Sequence, residues 1–224
     1  MNQTEYTLIM GVKNAEIYIE ETLKSVFAQS LLPNELIIVD DYSQDRTVEI
    51  AKSFDFDVKI ISNKRSGLSA ALNQGIQEAK SHYLAFLDAD DLWLPTKQEK
   101  QISFLNENLS LEVVSSAALN FKKSEITDQY FESSREFPPS RLFTASTFRK
   151  ETFLKYGLLD ESQGHFGWLY EWWSRAGDAG IKYGQIEEIL FHRRIHETNS
   201  WVLQKELATK TVLEIVRKNI ARNK

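Results

Sequence analysis

Asp88-Ala89-Asp90-Asp91 places three carboxylates within four residues. The apolar run Tyr83-Leu84-Ala85-Phe86-Leu87 precedes them, and Leu92-Trp93-Leu94-Pro95 follows. At ~5 Å and an effective dielectric of ~20, each pair of like charges costs roughly 3 kcal/mol. A divalent cation relieves that repulsion. Hard cations such as Mg²⁺ and Mn²⁺ take oxygen ligands, and Mg²⁺ usually shares its site with waters and a substrate phosphate. Asp88 and Asp90 are two apart, so on a strand they point to the same side. The competing reading is a polar turn that caps a helix starting near Pro95. A second acidic pair, Asp40-Asp41, also ends an apolar run, Glu35-Leu36-Ile37-Ile38-Val39.

The elements that must position these groups alternate in kind. Tyr6–Met10, Glu35–Val39, Val58–Ile61 and Tyr83–Leu87 read as strands. Between them, Ile17, Ile19, Leu23, Val26 and Phe27 recur at mostly helical spacing. Thr47–Phe54, capped from Ser43-Gln44-Asp45, and Leu68–Lys80 are helical too. Continuous apolar strands imply a parallel sheet covered on both faces. The alternation predicts an α/β fold, a mostly parallel open sheet with helices on both faces, with ligands at the carboxyl ends of its strands. Both acidic clusters fall at such ends. Farther on, Thr96–Asn106 reads as helix, Val113–Phe121 as strand and 122–140 as a polar loop or hairpin. Arg141–Phe148 reads as strand, Lys150–Tyr156 as a short helix ended by Gly157, and Phe166–Ala179 as helix.

The 224 residues fit one domain able to bury a substantial core. The formal charge of −5 argues against general nucleic-acid binding. With no cysteine, thiol nucleophiles, disulfides and zinc–thiolate sites are excluded. Met1-Asn2-Gln3-Thr4-Glu5 lacks the basic and apolar regions of a signal peptide, and no apolar run approaches the ~20 residues of a bilayer span. A cytoplasmic setting is the default. From Lys205 to Lys224, six basic residues face two acidic ones, with apolar residues at roughly helical spacing. Such a basic amphipathic helix docks on its own domain or lies on an anionic membrane.

Several segments together resemble glycosyltransferase family 2, inverting enzymes of GT-A fold that use nucleotide-activated sugars. They are Leu8–Asn14, Leu36–Thr47 with Asp40-Asp41, Gly67–Gly75, Tyr83–Asp91 and Tyr156–Glu161. Lys13 stands where the family commonly has an aromatic. The resemblance implies one GT-A domain over 1–204, with a nucleotide-sugar half (1–95) and an acceptor half (96–204), followed by helix 205–224. It implies that Asp41 accepts from a nucleobase edge, that Asp40 shapes that pocket, and that Asp88 sits near the ribose. Asp90, with Asp88, would hold Mn²⁺ or Mg²⁺ against the diphosphate of a nucleotide-sugar donor, a UDP-sugar foremost. Gly11 and Gly67 would let the backbone approach the nucleotide. Phe191–Ser200 resembles the family's closing segment. There His196 would ligate the metal or contact phosphate, and Arg193 or Arg194 would pair with phosphate. The acceptor, a glycan, lipid-linked or peptide hydroxyl, is not specified, and residues 122–149 are expected to select it.

The pattern breaks at the acceptor-side helix. Relatives carry a Glu-Asp pair before an arginine, and the Asp serves as general base. Anchored on Arg175, those places hold Trp168 and Leu169. Glu171 is the nearest carboxylate, but two residues along a helix is ~200° of rotation. His165, Asp160 and Glu161 are further candidates. Trp168 and Trp172 share a face assigned here to the core, and Trp173 is assigned to the pocket. The missing pair motivates an alternative, a sugar-nucleotide-binding or scaffold protein without transfer activity. A haloacid-dehalogenase-type phosphatase fits less well, because its Asp-x-Asp lies on the first strand. A dinucleotide dehydrogenase would need Gly-x-Gly-x-x-Gly after the first strand.

Overall fold

The computed structural model describes residues 3–123, 130–137 and 141–196. In the first half, strands and helices alternate: β1 (Tyr6–Val12), α1 (Ile19–Phe27), β2 (Glu35–Asp40), α2 (Thr47–Lys52), β3 (Val58–Ser62), α3 (Leu68–Glu78) and β4 (Tyr83–Phe86). There follow β5 (Leu92–Trp93), α4 (Lys97–Glu107), β6 (Val113–Lys123), β7 (Tyr130–Phe137), β8 (Ser146–Arg149) and α5 (Glu151–Tyr156). A 3₁₀ turn (Glu161–Gln163), α6 (Gly164–Asp178) and β9 (Tyr183–Arg194) complete the described chain.

All nine strands join one sheet in the order β3-β2-β1-β4-β8-β6-β9-β5, with β7 paired to β6. Strands β3, β2, β1 and β4 are parallel, with Ile9 beside Ile37 and Phe86. β8 runs antiparallel to both β4 and β6, and β9 runs parallel to β6. The carboxyl ends of β1 to β4, β6 and β9 therefore lie along one edge of the sheet. β9 occupies one side of β6, and β8 and β7 divide the other, at Val113–Ser115 and Ala118–Lys123.

The period-two alternation of the strands divides the core between two layers. Leu8, Met10, Leu36 and Ile38 pack with Ile19, Leu23 and Val26 of α1 and Ile102 and Leu105 of α4. Ile9, Ile37, Val39, Leu84 and Phe86 pack with α3, α5 and α6. Helix α3 lies close on β1: a Cβ at Gly75 would come within 2.3 Å of Ile9 Cγ2, and one at Gly11 within 2.7 Å of Leu68 Cδ1. That approach sets the start of α3 beside the ends of β1 and β2.

Two expectations change. The strand expected over Arg141–Phe148 is limited to Ser146–Arg149. Phe143 turns into the aromatic cluster, 5.3 Å from the Trp168 and Trp172 rings, and Ala145 N–H closes a turn on the Leu142 carbonyl. Trp173, assigned to the pocket, is buried in the same core against Phe148 and Tyr183, because α6 presents Trp172 and Trp173 together to the sheet. The helix proposed for 205–224 lies outside the described residues.

Candidate functional site

At the carboxyl edge of the sheet, the acidic motif after β4 meets the end of β9. Asp90 Oδ2 lies 2.8 Å from His196 Nε2, across 106 residues of sequence. The His196 ring stacks on Tyr18, centroids 4.6 Å apart. The Arg194 N–H donates to Asp91 Oδ1 at 2.9 Å, and Arg194 Nε donates to the Asp90 carbonyl at 2.8 Å. The Thr22 hydroxyl donates to the Ala89 carbonyl at 2.9 Å. The motif is thus clamped between α1 and β9. Arg194 is buried, with Nη2 donating to Glu21 and its guanidinium over the Phe121 and Tyr18 rings. Arg193 is half-buried, and its charge is felt at Asp88 and Asp91.

One carboxylate oxygen from each of Asp88, Asp90 and Asp91 lies within 4.8 Å of the others. Asp88 keeps an exposed surface, yet protein packs closely around its carboxyl. That crowding and then the Asp90 carboxylate push its carboxyl up to about 7, against the pull of Arg193. Asp91 is buried, and burial, with Asp90 and Asp88 beside it, raises its carboxyl well above the usual range. Close, hard oxygen donors that resist ionising together fit Mg²⁺ or Mn²⁺, with an imidazole at hand.

Asp41 forms a second corner. Its Oδ1 accepts from Asn63 Nδ2 at 2.7 Å and from the Gly67 N–H at 3.0 Å, and Lys13 Nζ lies 3.3 Å from Oδ2. Asn63 also donates to the Gly67 carbonyl, so one buried amide fixes both the acid and the start of α3. Asp40 Oδ1 accepts from the Ser43 N–H and shapes the turn after β2. Gly67 has φ +111°, a conformation that L side chains avoid, and a Cβ there would meet open space. Packing of α3 accounts for the glycine at 11. Asp40, Asp41, Gly67, Asp88, Asp90, Arg193 and His196 share the one sheet edge.

The acceptor-side candidates are held by α3, α6 and the chain between α5 and α6. Arg175 Nε and Nη2 donate to the two oxygens of Glu171 at 2.8 and 3.0 Å, and Nη2 also donates to the Leu158 carbonyl. Asp160 accepts from the Ser162 N–H and hydroxyl and from Gln163 Nε2. Glu161 accepts from Asn73 and pairs with Arg65 at 2.8 Å. Trp168 is buried in the core. His165 lies on the first turn of α6, and its side chain falls outside the described part.

Tyr18, Glu21 and Asn63 belong to the site and were not singled out by sequence. Asn63 meets Asp41 across 22 positions, Glu21 meets Arg194 across 173 and Tyr18 meets His196 across 178, and no local pattern marks them.

The model of Glycosyl transferase family 2 matches residues 7–169. Putative glycosyltransferase EpsE of Bacillus subtilis (strain 168) is 38% identical over 120 residues, 51% of this chain and 43% of that protein. The putative teichuronic acid biosynthesis glycosyltransferase TuaG of the same organism is 42% identical over 98 residues, 42% of this chain and 39% of that protein. The matches therefore span less than half the length of these relatives. The structure of S. aureus TarS 1-349 in complex with UDP-GlcNAc superposes with a TM-score of 0.68 at 16% identity, covering 87% of this chain and 60% of that one. At that identity the likeness shows the fold.

Proposed function

This chain belongs to glycosyl transferase family 2, and we propose that it transfers a sugar from a UDP-sugar to an acceptor hydroxyl with inversion. The observation that carries the reading is the convergence of Asp88, Asp90, Arg193 and His196 with the Asp41 corner at one sheet edge. The neighbour bound to UDP-GlcNAc favours uridine as the donor base, and the teichuronic acid relative favours a polysaccharide setting. In this proposal residues 1–95 supply most of the donor site, Arg193 and His196 complete it, and the rest of 96–204 serves the acceptor.

Asp41, oriented by Asn63 and Gly67, accepts from the base edge, and Asp40 holds the loop beside it. Asp88 lies near the ribose. Asp88, Asp90 and His196 would hold Mn²⁺ or Mg²⁺, which when bound neutralises charge building on the departing diphosphate. Arg193 adds a fixed positive charge there. Arg194 acts by position: with Glu21, Asp90 and Asp91 it keeps the end of β9 against the acidic motif.

Proton removal from the acceptor is the step with the weakest apparatus. A base must come within ~2.6–3.2 Å of the hydroxyl or act through one water. Glu171 is the nearest carboxylate to the family's position, and both its oxygens are engaged by Arg175. That pair, with Trp168 and Leu169 in the acidic places, favours a second reading, in which the chain binds sugar nucleotide without transferring it. Among the described residues no helix is long and apolar enough to cross a membrane. A cytoplasmic setting, with the basic stretch 205–224 at anionic lipid, completes the proposal.

The test is UDP release from UDP-sugars, with Mn²⁺ and with EDTA, against hydroxyl acceptors from bacterial polysaccharide. Mn²⁺-dependent release stimulated by an acceptor supports transfer. Tight donor binding without release supports the second reading.

A further inference from the structure

Tyr42 directly follows Asp41 and has φ 63°. Among the described residues, Asn14 is the one other non-glycine residue at positive φ. An L-residue in this conformation brings Cβ against the following carbonyl oxygen. Asparagine tolerates that, whereas a bulky ring there is an outlier. The loops after β1 and β2 hold the tyrosine in place. Asn14 Oδ1 accepts from the Gln44 N–H at 2.8 Å, the Asn14 N–H donates to Ser43 Oγ at 3.0 Å, and the Asp41 N–H donates to the Val12 carbonyl at 2.8 Å.

These bonds explain how the conformation is kept, and they would serve a glycine equally well. Tyr42 is 52% exposed, and among the described residues its side chain makes no hydrogen bond or ring contact. An exposed apolar ring on a strained backbone, with nothing inside the molecule in return, points to a ligand. The neighbouring groups indicate which kind. Asp41 is a buried acceptor oriented by Asn63 and Gly67, and the Cβ side of Gly67 is open space. A nucleobase offers N–H groups to a carboxylate and a flat face to an aromatic ring.

We propose that Tyr42 is the plane on which the donor's nucleobase stacks, so that the Asp41 corner holds the base by edge and by face. The inference rests on the nucleotide-sugar reading above and assigns a residue that determines its affinity.

The test measures binding of UDP and of inorganic pyrophosphate, both with Mn²⁺, to wild type, Tyr42→Phe, Tyr42→Gly and Tyr42→Asn, together with thermal midpoints. Glycine and asparagine both tolerate the backbone angle and remove the ring, so failure of one variant to fold leaves the other. UDP affinity is expected to fall about tenfold in the Gly and Asn variants and to stay within about twofold in Tyr42→Phe. Pyrophosphate affinity should be unchanged in all. The midpoint of Tyr42→Gly should equal or exceed the wild-type value, because release of strain opposes the added freedom of the unfolded chain. UDP affinity within twofold of wild type in the Gly and Asn variants overturns the stacking role alone. Absence of UDP binding to wild type overturns the nucleotide reading and the inference with it.

Discussion

Of the three aspartates after β4, Asp91 is buried against the Arg194 backbone, whereas Asp88 and Asp90 stay partly exposed. Asp91 therefore joins β9 to the motif, and in the proposal Asp88 and Asp90 serve the cation. Cation binding to the folded state alone stabilises it by about 2.7 kcal/mol at a hundred times Kd, which is about 5–10 °C in a chain of this size. Mn²⁺ is expected to raise the wild-type midpoint by that amount and to leave Asp90→Ala unmoved. Without cation the variant should remain folded, since loss of the His196 bond is offset by one charge fewer in a repulsive cluster. An equal Mn²⁺ shift in both proteins would remove Asp90 from the metal site. Glu171 is tested by its partner's geometry. Removal of a general base costs about 10²–10⁴-fold in rate. With Arg175 on both oxygens, Glu171→Gln is expected to keep UDP affinity and to lose less than about tenfold in turnover. A hundredfold loss in a folded variant would make Glu171 the proton acceptor.

At the scale of elements, Asp160 caps the 3₁₀ turn that leads into α6. Hydrogen bonds from Ser162 and then Gln163 hold the Asp160 carboxyl below its ordinary value of 3.8. A depressed carboxyl contributes stability above its unfolded pKa and loses it as pH falls through the folded one. Asp160→Asn should therefore cost about 1 kcal/mol at pH 7, a difference that shrinks below about pH 4 in urea titrations. A difference independent of pH would contradict this part for the carboxylate. The first four strands were legible in sequence to within two residues, because a strand covered on both faces is continuously apolar. The acidic clusters were legible as strand ends for the same reason. β9 was not legible as a strand: Gln185, Glu187 and Glu188 interrupt its pattern, and its register against β6 slips twice. What orders it is a partner about seventy positions earlier, together with Asp91 at its far end. Asn63 and Tyr18 were likewise concealed, by separations of 22 and 178 positions from Asp41 and His196. Trp173 was misplaced because the aromatic surface of α6 is wider than one i, i+4 stripe.

The whole molecule is a sheet that changes character midway, parallel from β3 to β4 and mixed beyond, while strand ends with chemistry stay on one edge. Asp41 is supplied by the parallel half, and Arg193 and His196 by the last described strand and its extension, so neither half forms the proposed donor site alone. Ligand occupancy should accordingly couple the two halves, with the Asp90–His196 contact as the link. The most direct test is calorimetric titration of UDP, GDP and dTDP into the protein, with Mn²⁺ and with EDTA. Saturable one-to-one binding of UDP in Mn²⁺, absent or at least tenfold weaker in EDTA, is the predicted result. No binding of any of the three in either condition would contradict the account.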